Sequence, residues 1–165
     1  MKEISKAILN VMNEVKGIDK SMTVGTGKSS YKGVSDKMVK EILQPAMAKN
    51  GLSILPTDVI AKTTTDRWEE NTEYGKKMKQ STFTEVTTKY ILLHTSGESI
   101  ELAGYGHGVD NQDKGAGKAT TYALKYALLY MFLIPTGTID DADTEHSDSI
   151  DVPKTNKNNK ADLPF

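Results

Sequence analysis

Apolar residues recur along this chain in changing rhythms, and each change marks an element. Ile4, Ile8, Val11, Met12 and Val15 stand at helical spacing and predict an amphipathic first helix, which the polar run KGIDKSMTVGTGKSSYKG ends. A second helix opens at Ser35 as N-cap, gathers Val39, Ile42, Leu43, Ala46 and Met47 on one side, and stops at Asn50-Gly51. Pro45 is expected to kink it. From Leu52 the pattern changes to Thr, Val and Ile between turn signals. LSILPTDVIAKTTT, STFTEVTTKYILLH and SIELAGY predict three strands of an antiparallel meander. The run RWEENTEYGKKMKQ reads as a long, charged hairpin tip, whose Lys76, Lys77 and Lys79 are either a DNA contact or a solvated cluster that Glu69, Glu70 and Glu73 nearby could neutralise. Trp68 and Phe83 read as core or hairpin packing.

The last rhythm is helical again. After the glycine-rich GYGHGVDNQDKGAGK, a helix is predicted from about Lys114 to Leu133. Its stripe of Ala119, Tyr122, Ala123, Tyr126, Tyr130 and Leu133, widened by Leu124, Leu128 and Met131, is expected to pack on the sheet. Lys114, Lys118, Thr121 and Lys125 follow one another at four, three and four residues and share a narrow face. No acid follows Asp113 in this helix, so the row reads either as a solvated edge or as a phosphate-binding face beside tyrosines on which bases stack.

Charge divides the 165 residues in two. Residues 1–139 carry 18 Lys and Arg against 15 Asp and Glu, whereas residues 140–165 carry 3 against 7. The first span is expected to be one domain and the second, poor in large apolar residues, an acidic disordered tail. The absence of cysteine removes disulfides and thiolate metal sites, and His94, His107 and His146 lack ligand spacing. No segment has the length of a membrane span, and a soluble cytoplasmic protein is expected. Asp140, Asp141 and Asp143 invite a metal-nuclease reading. Such ligands normally converge from several rigid elements, however, and these sit together at the start of the tail. No metal, cofactor or enzymatic activity is expected.

The stretch VGTGKSS resembles a phosphate-binding loop, but Met22 stands where its first glycine belongs and no apolar strand leads in. Lys28 and Lys32 beside Tyr31 read instead as a DNA-contact or intersubunit loop, with a simple flexible connector as the alternative.

The run GYGHGVDNQDKGAGKATTYALKYALLYMFLIPTGTIDDAD resembles the signature of the ERF family of phage single-strand annealing proteins: a glycine-rich lead, D-K, an alanine-rich T-x-A-x-K-Y helix and a closing D-D-A-D. The upstream YKGVSDKMVKEILQPAMAKNGLSI is similar to that family's Tyr before a Ser-initiated helix, a Pro and a G-L strand entry. The resemblance, which covers roughly residues 1–143, implies an α+β fold with a Rad52-like core of a β-meander packed by a long helix and preceded by two helices. It also implies assembly into rings or helical filaments in the bacterial host cytoplasm, and pairing of complementary single strands without ATP. By motif position it carries Lys114, Lys118 and Lys125 over as DNA contacts. Lys28, Lys32, Tyr31 and Tyr105 are candidates from the residues themselves. The alternative is a plain single-stranded DNA-binding protein built on a five-stranded barrel.

The chain closes on ADLPF, similar to the C-terminal tip of bacterial single-strand-binding proteins. Asp162, Leu163, Pro164 and Phe165 would then dock a host single-strand-binding, replication or repair protein, with Phe165 supplying both an apolar anchor and a terminal carboxylate. A chance ending, or a tip folded back onto the protein's own basic groove, is the alternative.

Overall fold

Ile4, Ala7 and Val11 lie on one face of the first helix, α1 (Lys2–Glu14), and all three are buried. Its free amide ends are met from a distance: the Ile4 N–H donates to the Glu98 carboxylate at 2.8 Å, and the Met1 ammonium pairs with the same group at 2.7 Å. That contact ties the start of the chain to the turn between two later strands. The computed structural model describes residues 1–24, 30–73 and 75–136, and of Val24 and Tyr31 the backbone alone. The acidic tail from Asp140 and the tip Asp162 to Phe165 lie outside the described residues.

Within the run expected to be a loop, a short hairpin forms from β1 (Met22–Val24) and β2 (Tyr31–Gly33), paired antiparallel. Next comes α2 (Asp36–Lys49), where the Ser35 hydroxyl accepts the Met38 N–H at 3.1 Å, as an N-cap should. It ends at Asn50, and Gly51 follows at φ 69°, a conformation that suits glycine. Pro45 sits inside this helix without interrupting it. The proline is exposed, so the Glu41 carbonyl it deprives of a donor lies on the solvent side.

The three predicted strands form one antiparallel sheet in the order β3 (Leu52–Thr72), β4 (Gly75–His94), β5 (Ser99–Asp110). β3 and β4 are far longer than their apolar segments suggest. The charged run read as a hairpin tip is itself paired strand up to Thr72 and Gly75. The ladder shifts register once, between Pro56 and Asp58, where a proline cannot donate. β5 pairs with β4 only from Thr82 to Leu93, so beyond Ser81 the first two strands continue alone.

The last helix, α3 (Gly115–Met131), lies on β4 and β5. Its Leu128 and Leu129, with Phe132 and Ile134 just beyond, join Leu43, Val39, Val11, Ile4 and Leu92 in the core. Each such side chain contributes about 1.5–3 kcal/mol on burial. The core therefore sits at the end of the sheet covered by α1 and α2. The architecture is α+β, with three helices and a three-stranded antiparallel sheet among the described residues. Among the described residues that sheet keeps two free edges and does not close into the barrel of the alternative reading.

Candidate nucleic-acid interface

Glycine alternates along β5, and the alternation sets the site. Gly104, Gly106 and Gly108 are buried, whereas Tyr105, His107 and Val109 are exposed. A Cβ on Gly106 would run into the Ala119 carbonyl and come within 2.6 Å of the Ala123 amide. On Gly108 it would lie 2.5 Å from the Gly115 carbonyl oxygen. The helix rests almost backbone to backbone on the strand, and Ala119, Ala123 and Ala127 line its contact face. The glycine-rich lead thus has a structural use, close helix–strand packing.

With alanines turned inward, Tyr122, Tyr126 and Tyr130 turn outward at intervals of four. They are 37, 41 and 73 % exposed, where the sequence pattern had placed them in the packed stripe. Their ring centres stand 6.0 Å apart at each step, forming a ladder along α3.

The lysines expected on the same helix have separate fates. Lys125 is buried at 7 % exposure: its Nζ donates to the Val34 carbonyl at 3.2 Å and lies 4.6 and 4.8 Å from the ring centres of Tyr122 and Tyr126. Burial pushes its pKa down, and the Asp36 carboxylate opposes that shift. Lys118 is half-exposed and pairs with Asp110 at 2.5 Å, an acid supplied by β5 and not by the helix. The Lys118 ammonium, together with the Gln112 N–H, holds the Asp110 carboxyl below its ordinary value. Lys114 stands exposed at the helix start. The expected single row of free lysines is thus not assembled.

Two grooves flank the tyrosine ladder. One, of about 670 Å³, runs between α3 and the β1–β2 hairpin and is lined by Lys20, Lys32 and Lys125 as well as by the three tyrosines. In it the Lys32 ammonium donates to the Thr23 hydroxyl at 2.7 Å. The other, of about 860 Å³, follows the free edge of β5, with Thr87, Tyr105 and His107 opposite the same tyrosines. The Tyr105 hydroxyl donates to Glu85 at 3.0 Å, which raises its pKa. Tyr105 and Lys32 therefore both reach the ladder, from opposite sides. Tyr31 belongs to β2, its side chain outside the described atoms, and Lys28 lies outside the described residues. The sequence reading passed over Lys20. For the ladder a signal did exist, tyrosine at every fourth position, but nothing in it distinguished an inward from an outward face.

The family model for the ERF superfamily matches residues 4–163, nearly the whole chain. The chain belongs to the ERF superfamily. This ERF protein is thereby placed, in general terms, with phage recombination and the annealing of single-stranded DNA. No curated protein matches it in the comparison made with them. The glycines of β5, the alanines of α3 and the tyrosine ladder all fall within the matched span. Among the described residues no cluster of acids and histidines has metal-holding geometry, and no helix is long and apolar enough to cross a membrane.

Proposed function

We propose that this ERF protein binds single-stranded DNA along α3 and anneals complementary strands without nucleotide hydrolysis or a resident metal, as a self-assembled ring or filament with a Rad52-like core. The observation that carries the reading is the exposed ladder of Tyr122, Tyr126 and Tyr130 beside Lys20 and Lys32. Aromatic rings offer every base a stacking surface whatever the sequence, and lysines along the same groove meet the backbone phosphates. Lys114, exposed at the start of α3, is a further candidate phosphate contact. Sequence-independent stacking suits annealing, because the base edges remain free to find their complement. On this reading Lys28 and Tyr31 also contact the strand, and Tyr105 does so from β5. Docking of a host replication or repair protein by Asp162, Leu163, Pro164 and Phe165 belongs to the same proposal.

Fluorescence anisotropy with labelled single-stranded oligonucleotides of mixed and homopolymeric sequence tests it. Wild-type protein is expected to bind them with little base preference, and Tyr130→Ala, which removes the most exposed ring, to bind more weakly. Binding as tight as wild type by Tyr130→Ala and by a variant lacking all three rings would remove the ladder from the interface.

A further inference from the structure

Beyond Ser81 the sheet becomes a bare two-stranded arm. Seven residue pairs, from Asp66↔Ser81 to Thr72↔Gly75, extend past the last pairing of β5, at Asp110. At about 3.3 Å per residue this is roughly 23 Å of ribbon. A two-stranded ribbon alone is marginal in water, and both of its edges present unpaired backbone groups. This one also exposes Trp68 (44 %) and Met78 (63 %), which alternation places on opposite faces.

The charges on the arm are sorted by strand. The β3 half carries Asp66, Glu69 and Glu70 with a single base, Arg67, while the β4 half carries Lys76, Lys77 and Lys79 and no acid. Within one chain Lys76 pairs with Glu69 at 2.8 Å and Lys79 with Glu70. Exposed pairs of this kind are worth about 0–1 kcal/mol, and a scatter of signs over both strands would supply them equally well. Sorting gives the ribbon something that scatter would not, one acidic edge and one basic edge.

We infer that the arm is a head-to-tail contact between copies of this chain, the acidic β3 edge of one arm lying against the basic β4 edge of the next. Among the described residues the β4 edge has no strand partner there because β5 stops short, although the Gln80 side chain donates to the Asn111 carbonyl at the base of the arm, and the outer edge of β3 has none along its length. An edge that binds a different edge repeats without saturating, so it closes into a ring or runs on as a filament. A DNA strand on the lysines would lie within the same ribbon's field of Asp66, Glu69 and Glu70, whereas a second copy satisfies both edges. The inference rests on the self-assembly proposed above and names the surface that carries it.

The test uses two full-length variants. One reverses β3 (Asp66→Lys, Glu69→Lys, Glu70→Lys) and leaves both edges of the arm basic; the other reverses β4 (Lys76→Glu, Lys77→Glu, Lys79→Glu) and leaves both edges acidic apart from Arg67. By sedimentation velocity, wild type is expected to be an oligomer, each variant alone a monomer, and their equimolar mixture an oligomer again. The variant with both reversals, which regains its own cross-strand pairs, is expected to assemble by itself. Circular dichroism checks that each variant keeps the folded core. Wild type that stays monomeric, single variants that still assemble, or a mixture that fails to recover would each overturn the inference. So would a β4-reversed variant that remains assembled yet loses salt-dependent binding to an oligonucleotide, because the lysines would then be DNA contacts. Single-strand binding through Tyr122, Tyr126 and Tyr130 is measured on the same samples. Loss of assembly with binding retained separates this contact from the DNA interface.

Discussion

The ammonium of Lys125 lies 4.6 Å from the ring centre of Tyr122, almost out of reach of water. Its Nζ donates to the Val34 carbonyl at 3.2 Å, and its burial leaves the ammonium little surface to offer a phosphate. Held there, it is placed as a post between the tyrosine ladder and the segment leading into α2.

Salt dependence separates that post from a phosphate contact. Each phosphate neutralised on a single strand contributes roughly 0.7 to the slope of log affinity against log salt. Lys32→Ala is expected to reduce the slope by about that amount. Lys125→Ala is expected to weaken binding while leaving the slope nearly unchanged, because it loosens Tyr122 and Tyr126. Titrations at several salt concentrations decide between them; a slope lowered equally by both would place the Lys125 ammonium on the DNA.

Removing rings should be costlier than removing charges. Stacking of a base on an aromatic side chain is worth about 1–3 kcal/mol by alanine substitution. Tyr126→Ala, in the middle of the ladder, is expected to lower single-strand affinity by roughly 5- to 150-fold on that scale. Anisotropy titration at fixed salt measures it, and a loss under twofold would leave stacking without support.

Gly106→Ala tests how the helix is seated. The added methyl meets main-chain atoms of Ala119 and Ala123, which cannot swing aside as the end of a flexible side chain would. Overpacking of this kind costs about 1–3 kcal/mol, occasionally more, and a lower melting temperature is expected. Gly117, with open space around it, is the control, and its alanine variant should melt near wild type or slightly above. Equal melting of the Gly106 variant and wild type would contradict the backbone-to-backbone packing.

Two carboxylates are expected to contribute to the acid limb of stability. The Ile4 N–H and the Met1 ammonium hold Glu98 below its ordinary pKa, and Lys118 does the same for Asp110. A carboxyl depressed on folding contributes stability that is fully present above its unfolded pKa and is lost as pH falls through the folded one. Glu98→Gln with Asp110→Asn should therefore lower stability at neutral pH and flatten its decline through the acidic carboxylate range. Urea unfolding across that range is the measurement. A decline as steep as that of wild type would assign the acid sensitivity to other groups.

Much of this fold is legible where local chemistry and tertiary structure agree. Ser35 and Asn50-Gly51 bracket α2 because capping is decided within a few residues. The arm was missed because Asp66 to Lys79 is charged and carries turn-forming residues. Its strands are held by cross-strand pairing, which no local window contains. The glycines of β5 look like a loop for a similar reason: their value lies in how closely α3 approaches. The site was half legible. Lysines and tyrosines at helical spacing mark α3 as the chemically interesting helix, but only the packing of Ala119, Ala123 and Ala127 turns the tyrosines outward and Lys125 inward.

The most direct test is annealing itself. Complementary oligonucleotides are mixed in EDTA with no nucleotide, and strand pairing is followed by fluorescence quenching with wild-type protein and with Tyr130→Ala, both shown to be folded. Wild type is expected to accelerate pairing well above the spontaneous rate and the variant to lose most of that acceleration. Acceleration that appears only with ATP or Mg²⁺, or that survives removal of Tyr122, Tyr126 and Tyr130 together, would contradict the account.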